Sequence, residues 1–123
     1  MCIRDRTKQP YHITRPDGGP FAFAGLWEHW TSPNGEEIES CTIVTTEANE
    51  QMAELHERMP VILARDNYDR WLDPGVEDKT ELSPLLRPAD GELRLTPVST
   101  FVNSPRNDSQ ECVQPVERQG ELF

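Results

Sequence analysis

Short apolar stretches, bounded by proline, glycine and asparagine, predict extended chain in five places. They are Tyr11–Thr14, Phe21–Leu26, Ile38–Thr45, Val61–Leu63 and Leu93–Val98. Their β-branched and aromatic residues are typical of strands. The turn-forming residues between the first two stretches include Asp17 and Gly18, so we predict that these two strands form a hairpin.

Apolar residues at helical spacing predict three short helices. The first covers residues 47–56, with Thr46 as its N-cap and Pro60 ending it near Glu57. The second begins at a capping Asp66 and runs to Leu72, and the third covers residues 78–86. Strands and helices in this irregular order predict an α+β fold with a mixed sheet.

The composition narrows the class of protein. The chain has 123 residues, which suits one domain or a piece of one, and its net charge is −10. Taken alone, this charge argues against a nucleic-acid surface, because phosphate binding relies on Lys and Arg. Neither a membrane-length apolar run nor a signal peptide is present, so we expect a cytoplasmic protein without a membrane partner. Three scattered cysteines give neither a disulfide framework nor a metal site, and we predict no cofactor.

His56 is the first candidate for chemistry. It stands at the end of the first predicted helix, directly before a buried strand. The dipole of a helix favours a protonated imidazole at this end, and a rigid strand below would fix its position. We therefore consider His56 a candidate general acid or base. The alternative is a histidine that only interacts favourably with the helix dipole.

Cys2 is the second candidate, because removal of Met1 would make it N-terminal. Its α-amine and thiol could then both attack an aldehyde, forming a Schiff base and then a thiazolidine ring. The alternative is a chance cysteine in a leader. The first six residues do not resemble the rest of the chain, and we interpret residues 1–6 as a non-native leader.

Four segments resemble one family, the SOS response-associated peptidase (SRAP) family of abasic-site processing proteins. They are Pro10–Ile13, Ala22–Glu28, Cys41–Asn49 and Leu55–Leu63, in the order in which the family has them. The resemblance covers nearly the whole chain. It implies that residues 7–117 are the C-terminal part of an SRAP domain, followed by a polar tail at residues 118–123.

The resemblance implies an incomplete, strongly twisted, barrel-like sheet flanked by short helices. It also implies a monomer, when intact, that binds single-stranded DNA at an abasic site and needs no small-molecule cofactor. An N-terminal cysteine would form a thiazolidine crosslink with the opened sugar, with associated peptidase and lyase activities. By the same resemblance, His56 is the general acid or base, Thr45 contacts DNA, and Arg58 contacts a phosphate.

Three family motifs are absent from this chain: Met-Cys-Gly-Arg, Asn-Ala-Arg-x-Glu and Asp-Gly-Phe-Tyr-Glu-Trp. We therefore expect a piece without the nucleophile half, inactive alone, in which Cys2 is not the nucleophile and Glu28 is not the catalytic glutamate. Two other hypotheses stay open. One is a non-catalytic acidic interaction domain in which His56 only ends a helix. The other is a thiol hydrolase that pairs His56 with Cys2 or Cys41.

Overall fold

The computed structural model describes residues 9–117, which form short strands, two short α-helices and several 3₁₀ turns. The strands are β1 Tyr11–Thr14, β2 Ala22–Phe23, β3 Gly25–Thr31, β4 Glu37–Ile43, β5 Thr45–Glu47, β6 Arg58–Pro60, β7 Ile62–Leu63 and β8 Arg94–Pro97. The helices are α1 Tyr68–Leu72 and α2 Lys79–Leu82. The α+β class is confirmed. Within this part of the chain the strands form two-stranded antiparallel sheets, and they do not close into a barrel.

The chain divides into two compact units. Within the described residues, unit 1 comprises residues 9–20, 50–57 and 91–117, and unit 2 comprises residues 21–49 and 58–90. Strand β1 pairs with β8 in unit 1, with Tyr11 opposite Pro97 and Thr14 opposite Arg94. The buried side chain of Gln9 supports this pair, since its amide donates to the carbonyl of Val98 over 2.7 Å.

The predicted hairpin between Tyr11–Thr14 and Phe21–Leu26 is therefore wrong. The turn itself forms, because the N–H of Gly18 donates to the carbonyl of Arg15 over 3.0 Å and Gly18 adopts a φ of 73°. Pro16 and Pro20 flank this turn and have no N–H to donate to a ladder between its arms. The first strand instead pairs with a distant strand, which no local signal indicates.

Three chain segments meet at one junction in unit 2. A ring of three backbone hydrogen bonds, each 2.9 Å long, joins them: Val44 donates to Ala24, Ala24 donates to Val61, and Val61 donates to Val44. Each segment pairs with one neighbour before this point and with the other after it, which gives the ladders β2–β7, β3–β4 and β5–β6. The ring therefore fixes where each strand begins and ends.

The small core of unit 2 lies at this junction. Ala24 and Val61 are fully buried and pack with Leu63 and Leu85. Side chains from α1 and α2 pack against the same cluster, among them Tyr68, Trp71 and Leu82. Burial of apolar surface here stabilises the junction, which adjoins the start of β5 and the end of β6.

The predicted helix over residues 47–56 is wrong. Thr46, the expected N-cap, lies in β5 opposite Met59, and only a single 3₁₀ turn at Met52–Glu54 follows. The β-branched residues before it extend the chain and pair with β6, so tertiary pairing overrides the helical spacing.

The two later helices are confirmed in shortened form. Asp78 caps α2, and its carboxylate accepts the N–H of Thr80 over 2.8 Å. This backbone hydrogen bond, together with the Thr80 hydroxyl, holds the pKa of Asp78 below its ordinary value. The predicted cap at Asp66 is wrong, because Ala64 takes the N-cap position there and no side chain caps that turn.

Candidate nucleic-acid interface

Thr45 and Arg58 lie together on the β5–β6 pair. In this register Thr45 is opposite Pro60 and Glu47 is opposite Arg58, so these four residues share one face of the pair. One guanidinium nitrogen of Arg58 donates both to the carbonyl of Thr45 over 2.9 Å and to its hydroxyl Oγ1 over 3.0 Å. The guanidinium is therefore held in place on an exposed surface.

The opposite face of this pair is anchored in unit 2. Met59 is only 2% exposed, and its sulfur accepts the N–H of Asn49 over 3.4 Å. The Asn49 side-chain amide in turn donates to the carbonyl of Ala89 over 3.2 Å. Val44 and Val61, from the hydrogen-bonded ring, lie next to the ends of the two strands. A fixed inner face therefore presents Arg58 outward without help from a ligand.

His56 is half-buried and belongs to unit 1. Its backbone N–H donates to the carbonyl of Met52 over 2.9 Å, and the N–H of Leu55 closes the 3₁₀ turn on the same carbonyl. The helix end predicted for this histidine does not form, so the argument from a helix dipole does not apply to it. The turn and the buried Met52 fix its backbone instead.

Gln51 ties this turn to the start of β8. Its side-chain amide donates to the carbonyl of Leu93 over 2.6 Å, and its side-chain carbonyl accepts the Leu93 N–H over 2.9 Å. The half-buried amide thus pairs with backbone in the way that a neighbouring strand would. These two bonds lie within unit 1 and hold the segment that carries His56.

The structure brings Thr45 and Arg58 together, whereas His56 lies in the other unit and is separated from Arg58 in the chain by Glu57. Cys2 lies outside the described residues. Cys41, the other thiol considered as a partner for His56, is exposed on β4. Among residues 9–117, no group of three His, Cys, Asp or Glu side chains is placed to hold a metal ion. No helix in this part of the chain has the length and apolarity that crossing a bilayer requires.

A sequence model of the family described as SOS response associated peptidase (SRAP) matches residues 3–105. The chain belongs to this family. The resemblance that the sequence motifs indicated is thereby confirmed.

Relatives of this SRAP chain include curated abasic site processing proteins. It is 44% identical to YoqW of Bacillus subtilis over 110 residues, which are 89% of the chain and 49% of YoqW. It is 43% identical to HMCES of Gallus gallus over 96 residues, covering 76% of the chain and 28% of HMCES. The chain therefore spans about half the length, or less, of these relatives.

Solved structures show the same fold. A crystal structure of a Bacteroides thetaiotaomicron protein matches 88% of the SRAP chain with a TM-score of 0.74 and 29% identity, and this match covers 49% of that protein. A Bordetella bronchiseptica protein matches 74% of the chain with a TM-score of 0.63 and 31% identity.

Sequence analysis missed two features of this SRAP chain. The first is Glu47, which lies opposite Arg58 in the β5–β6 pair. The alternation of side chains along a strand would have indicated this position if residues 45–47 had been predicted as a strand. No local pattern indicates that Gln51 reaches Leu93, because the partner lies 42 residues further along the chain.

Replacing Gln51 with alanine should loosen the turn that carries His56. The change removes two hydrogen bonds and leaves the N–H and C=O of Leu93 without this partner, at a cost of about 1–2 kcal/mol. We expect a lower urea midpoint and faster hydrogen exchange at the His56 amide. The exposed Gln110, changed to alanine, is the matched control. Unchanged exchange at His56 in the Gln51 variant would show that the amide does not hold the turn.

Proposed function

We propose that this chain supplies the DNA-contacting residues Thr45 and Arg58 and the acid–base residue His56 of an abasic-site processing protein. The substrate is single-stranded DNA that carries an abasic site. The observation that carries the proposal is the Arg58 guanidinium, oriented by Thr45 on an exposed face, in a family whose relatives bear this name. The activity belongs to a complete SRAP domain, of which this chain is one part.

Arg58 is suited to a phosphate in this arrangement. A guanidinium is always charged and presents its N–H donors in a planar fork that matches the oxygens of a phosphate. The Thr45 hydroxyl oxygen accepts a hydrogen bond from Arg58, so the hydrogen of this hydroxyl points away from Arg58. A phosphate oxygen placed beside both groups would receive one bond from each. Charge-assisted bonds of this kind are the stronger class.

The covalent step joins an N-terminal cysteine to the opened sugar. The cysteine amine adds to the aldehyde carbon at C1′, and loss of one water gives an imine. The thiol then adds to the imine carbon, its proton moves to nitrogen, and the ring closes without any oxidant or reductant. His56 would protonate the leaving oxygen and accept the proton from the amine. The nucleophile belongs to the half of the domain that carries Met-Cys-Gly-Arg, so Cys2 is not needed.

The proposed function can be tested with a hybrid protein that contains a complete SRAP domain. The half of YoqW outside the match would be joined in front of residues 7–123, and the hybrid incubated with an abasic oligonucleotide. We expect a denaturation-resistant complex that needs the YoqW-derived cysteine, and none with the 123-residue chain alone. A crosslink formed by the chain alone through Cys2 would reverse the assignment of the nucleophile. The monomeric state, the cytoplasmic location and the peptidase and lyase activities stay predictions.

Changing Arg58 to alanine in this hybrid should weaken binding to single-stranded DNA about tenfold, since one charged phosphate contact is lost. The dependence of log K on log salt should become shallower by about 0.7, the value for one phosphate on a single strand. Arg58→Lys should recover part of the affinity, because the charge remains while the fork is lost.

Arg70 provides the control, as an exposed arginine on α1 in the same unit. Its alanine variant should bind like the parent protein. Equal affinity and equal salt dependence for the Arg58 and Arg70 variants would remove Arg58 from the DNA-binding surface. They would favour the alternative hypothesis of an acidic interaction domain.

A further inference from the structure

Glu47 is an exposed acid on the surface proposed to bind DNA. It lies directly opposite Arg58 in the β5–β6 pair, where side chains on one face have their Cβ atoms about 5 Å apart. Arg58 nevertheless turns along the pair and donates to Thr45. Among the ion pairs within residues 9–117, none joins Glu47 to Arg58. The carboxylate of Glu47 can therefore accept hydrogen bonds from a ligand on the same face.

The backbone that carries Glu47 is fixed on both sides. The antiparallel register places it opposite Arg58, and Thr46 before it lies opposite the buried Met59. Two residues further on, the N–H of Asn49 donates to the sulfur of Met59 over 3.4 Å. Because side chains alternate along a strand, β5 presents Glu47 on the outer face beside Arg58.

A carboxylate at this place is unfavourable for the DNA backbone. Phosphates carry the same charge and have no hydrogen to donate. The deoxyribose of an ordinary internal nucleotide has both of its hydroxyl oxygens esterified, so it offers no donor either. The bases of a DNA strand do have N–H groups, which an ionised carboxylate can accept. Outside the abasic nucleotide, Glu47 can therefore form a hydrogen bond to DNA only through a base.

Guanine fits this carboxylate best among the four bases. Its N1–H and its N2 amino group stand side by side and match the two oxygens of one carboxylate. Adenine, cytosine and thymine each place an acceptor beside their donor on the same edge, so the second carboxylate oxygen would face a lone pair. In a single strand no complementary base occupies this edge. Bidentate pairs with a charged partner are the stronger class of hydrogen bond.

We propose that Glu47 is a specificity-determining residue that favours guanine next to the abasic site. Its carboxylate accepts the N1–H and one N2–H of that base while Arg58 holds a nearby phosphate. The inference deepens the proposed function and rests on it, since Glu47 meets DNA only if this face does. The two residues have separate tasks: Arg58 binds every strand, and Glu47 discriminates between strands.

The test uses the hybrid domain described above, in a form that lacks the YoqW-derived cysteine so that binding is reversible. Single-stranded oligonucleotides carry one abasic site with guanine, hypoxanthine or adenine beside it, in one series on the 5′ side and in another on the 3′ side. We expect guanine to bind about fivefold more tightly than adenine in one series, the lower range for a bidentate base contact. Hypoxanthine lacks the N2 amino group and should fall between the two.

Glu47→Gln should remove the guanine preference, because an amide has one acceptor oxygen and places N–H donors where the second oxygen was. It should bind adenine-flanked DNA more tightly than the parent protein does, since a charge that repels phosphate is lost. Glu77→Gln is the matched control. It removes the same charge from an exposed position in unit 2 and should keep the preference for guanine.

Equal affinity for guanine and adenine in both series would overturn the proposal, and so would a guanine preference that Glu47→Gln retains. A Glu47→Gln variant that loses affinity equally for every base would place the carboxylate on the abasic sugar and contradict base recognition. In each of these cases the hybrid still binds abasic DNA and Arg58→Ala still weakens that binding, so the proposed function stands. A hybrid that binds no abasic DNA, or binds it unchanged after Arg58→Ala, would reject both proposals.

Discussion

Replacing His56 with alanine in the hybrid domain should slow covalent capture of abasic single-stranded DNA by about 100-fold, the lower range for loss of a general acid or base. Binding of the DNA should change little, because His56 is proposed to act on the proton transfers of imine formation. The measurement is the single-turnover rate of crosslinking at saturating DNA, with affinity measured separately on a variant that lacks the nucleophile.

Two controls separate catalysis from positioning. His12→Ala changes an exposed histidine on β1 in the same unit and should leave the rate unaffected. Added imidazole should restore part of the rate to His56→Ala and should not accelerate the parent protein, since only a missing proton carrier is replaced. A variant that captures DNA at the parental rate would show that His56 takes no part in the chemistry.

The structure gives His56 a different support from the one expected. A helix end is predicted to favour the protonated imidazole through its dipole, but the segment forms one 3₁₀ turn. The Gln51 side chain and the carbonyl of Met52 hold the backbone instead. The role proposed for His56 therefore rests on the resemblance and on this local fixation, and no helix dipole contributes to it.

Local sequence signals identified features that depend on neighbouring residues. The turn at Gly18, a short helix within residues 78–86 and the extended course of Tyr11–Thr14 are all present in the structure. Thr45 and Arg58 were each expected to contact DNA, but no contact between them was predicted. The structure joins the two side chains by a direct hydrogen bond.

Features that depend on distant partners could not be predicted. The helical spacing of residues 47–56 is genuine, yet Thr46 pairs with Met59 and the helix does not begin. Likewise, β1 pairs with β8 across most of the chain. Pairing of this kind depends on which strand covers which apolar face, and a single segment does not encode that choice.

Val61 is the residue at which loss of packing should have the largest effect on stability. It is fully buried, and in the three-membered ring its carbonyl accepts the N–H of Ala24 while its own N–H donates to the carbonyl of Val44. Val61→Ala removes two methyl groups from this core and should lower the free energy of unfolding by about 2–3 kcal/mol. Domains are stable by only about 5–15 kcal/mol, so this is a large fraction of the total. The measurement is the urea unfolding midpoint of the 123-residue chain.

Val113→Ala removes the same two methyl groups from an exposed position in unit 1 and should shift the midpoint by much less. The Val61 variant should also lose amide protection at Met59, because Val61 follows β6 and fixes its end through the Val44 carbonyl. If both valine variants unfold at the same urea concentration, the junction is not the core that holds unit 2. The position of β6, which carries Arg58, would then have to come from its pairing with β5.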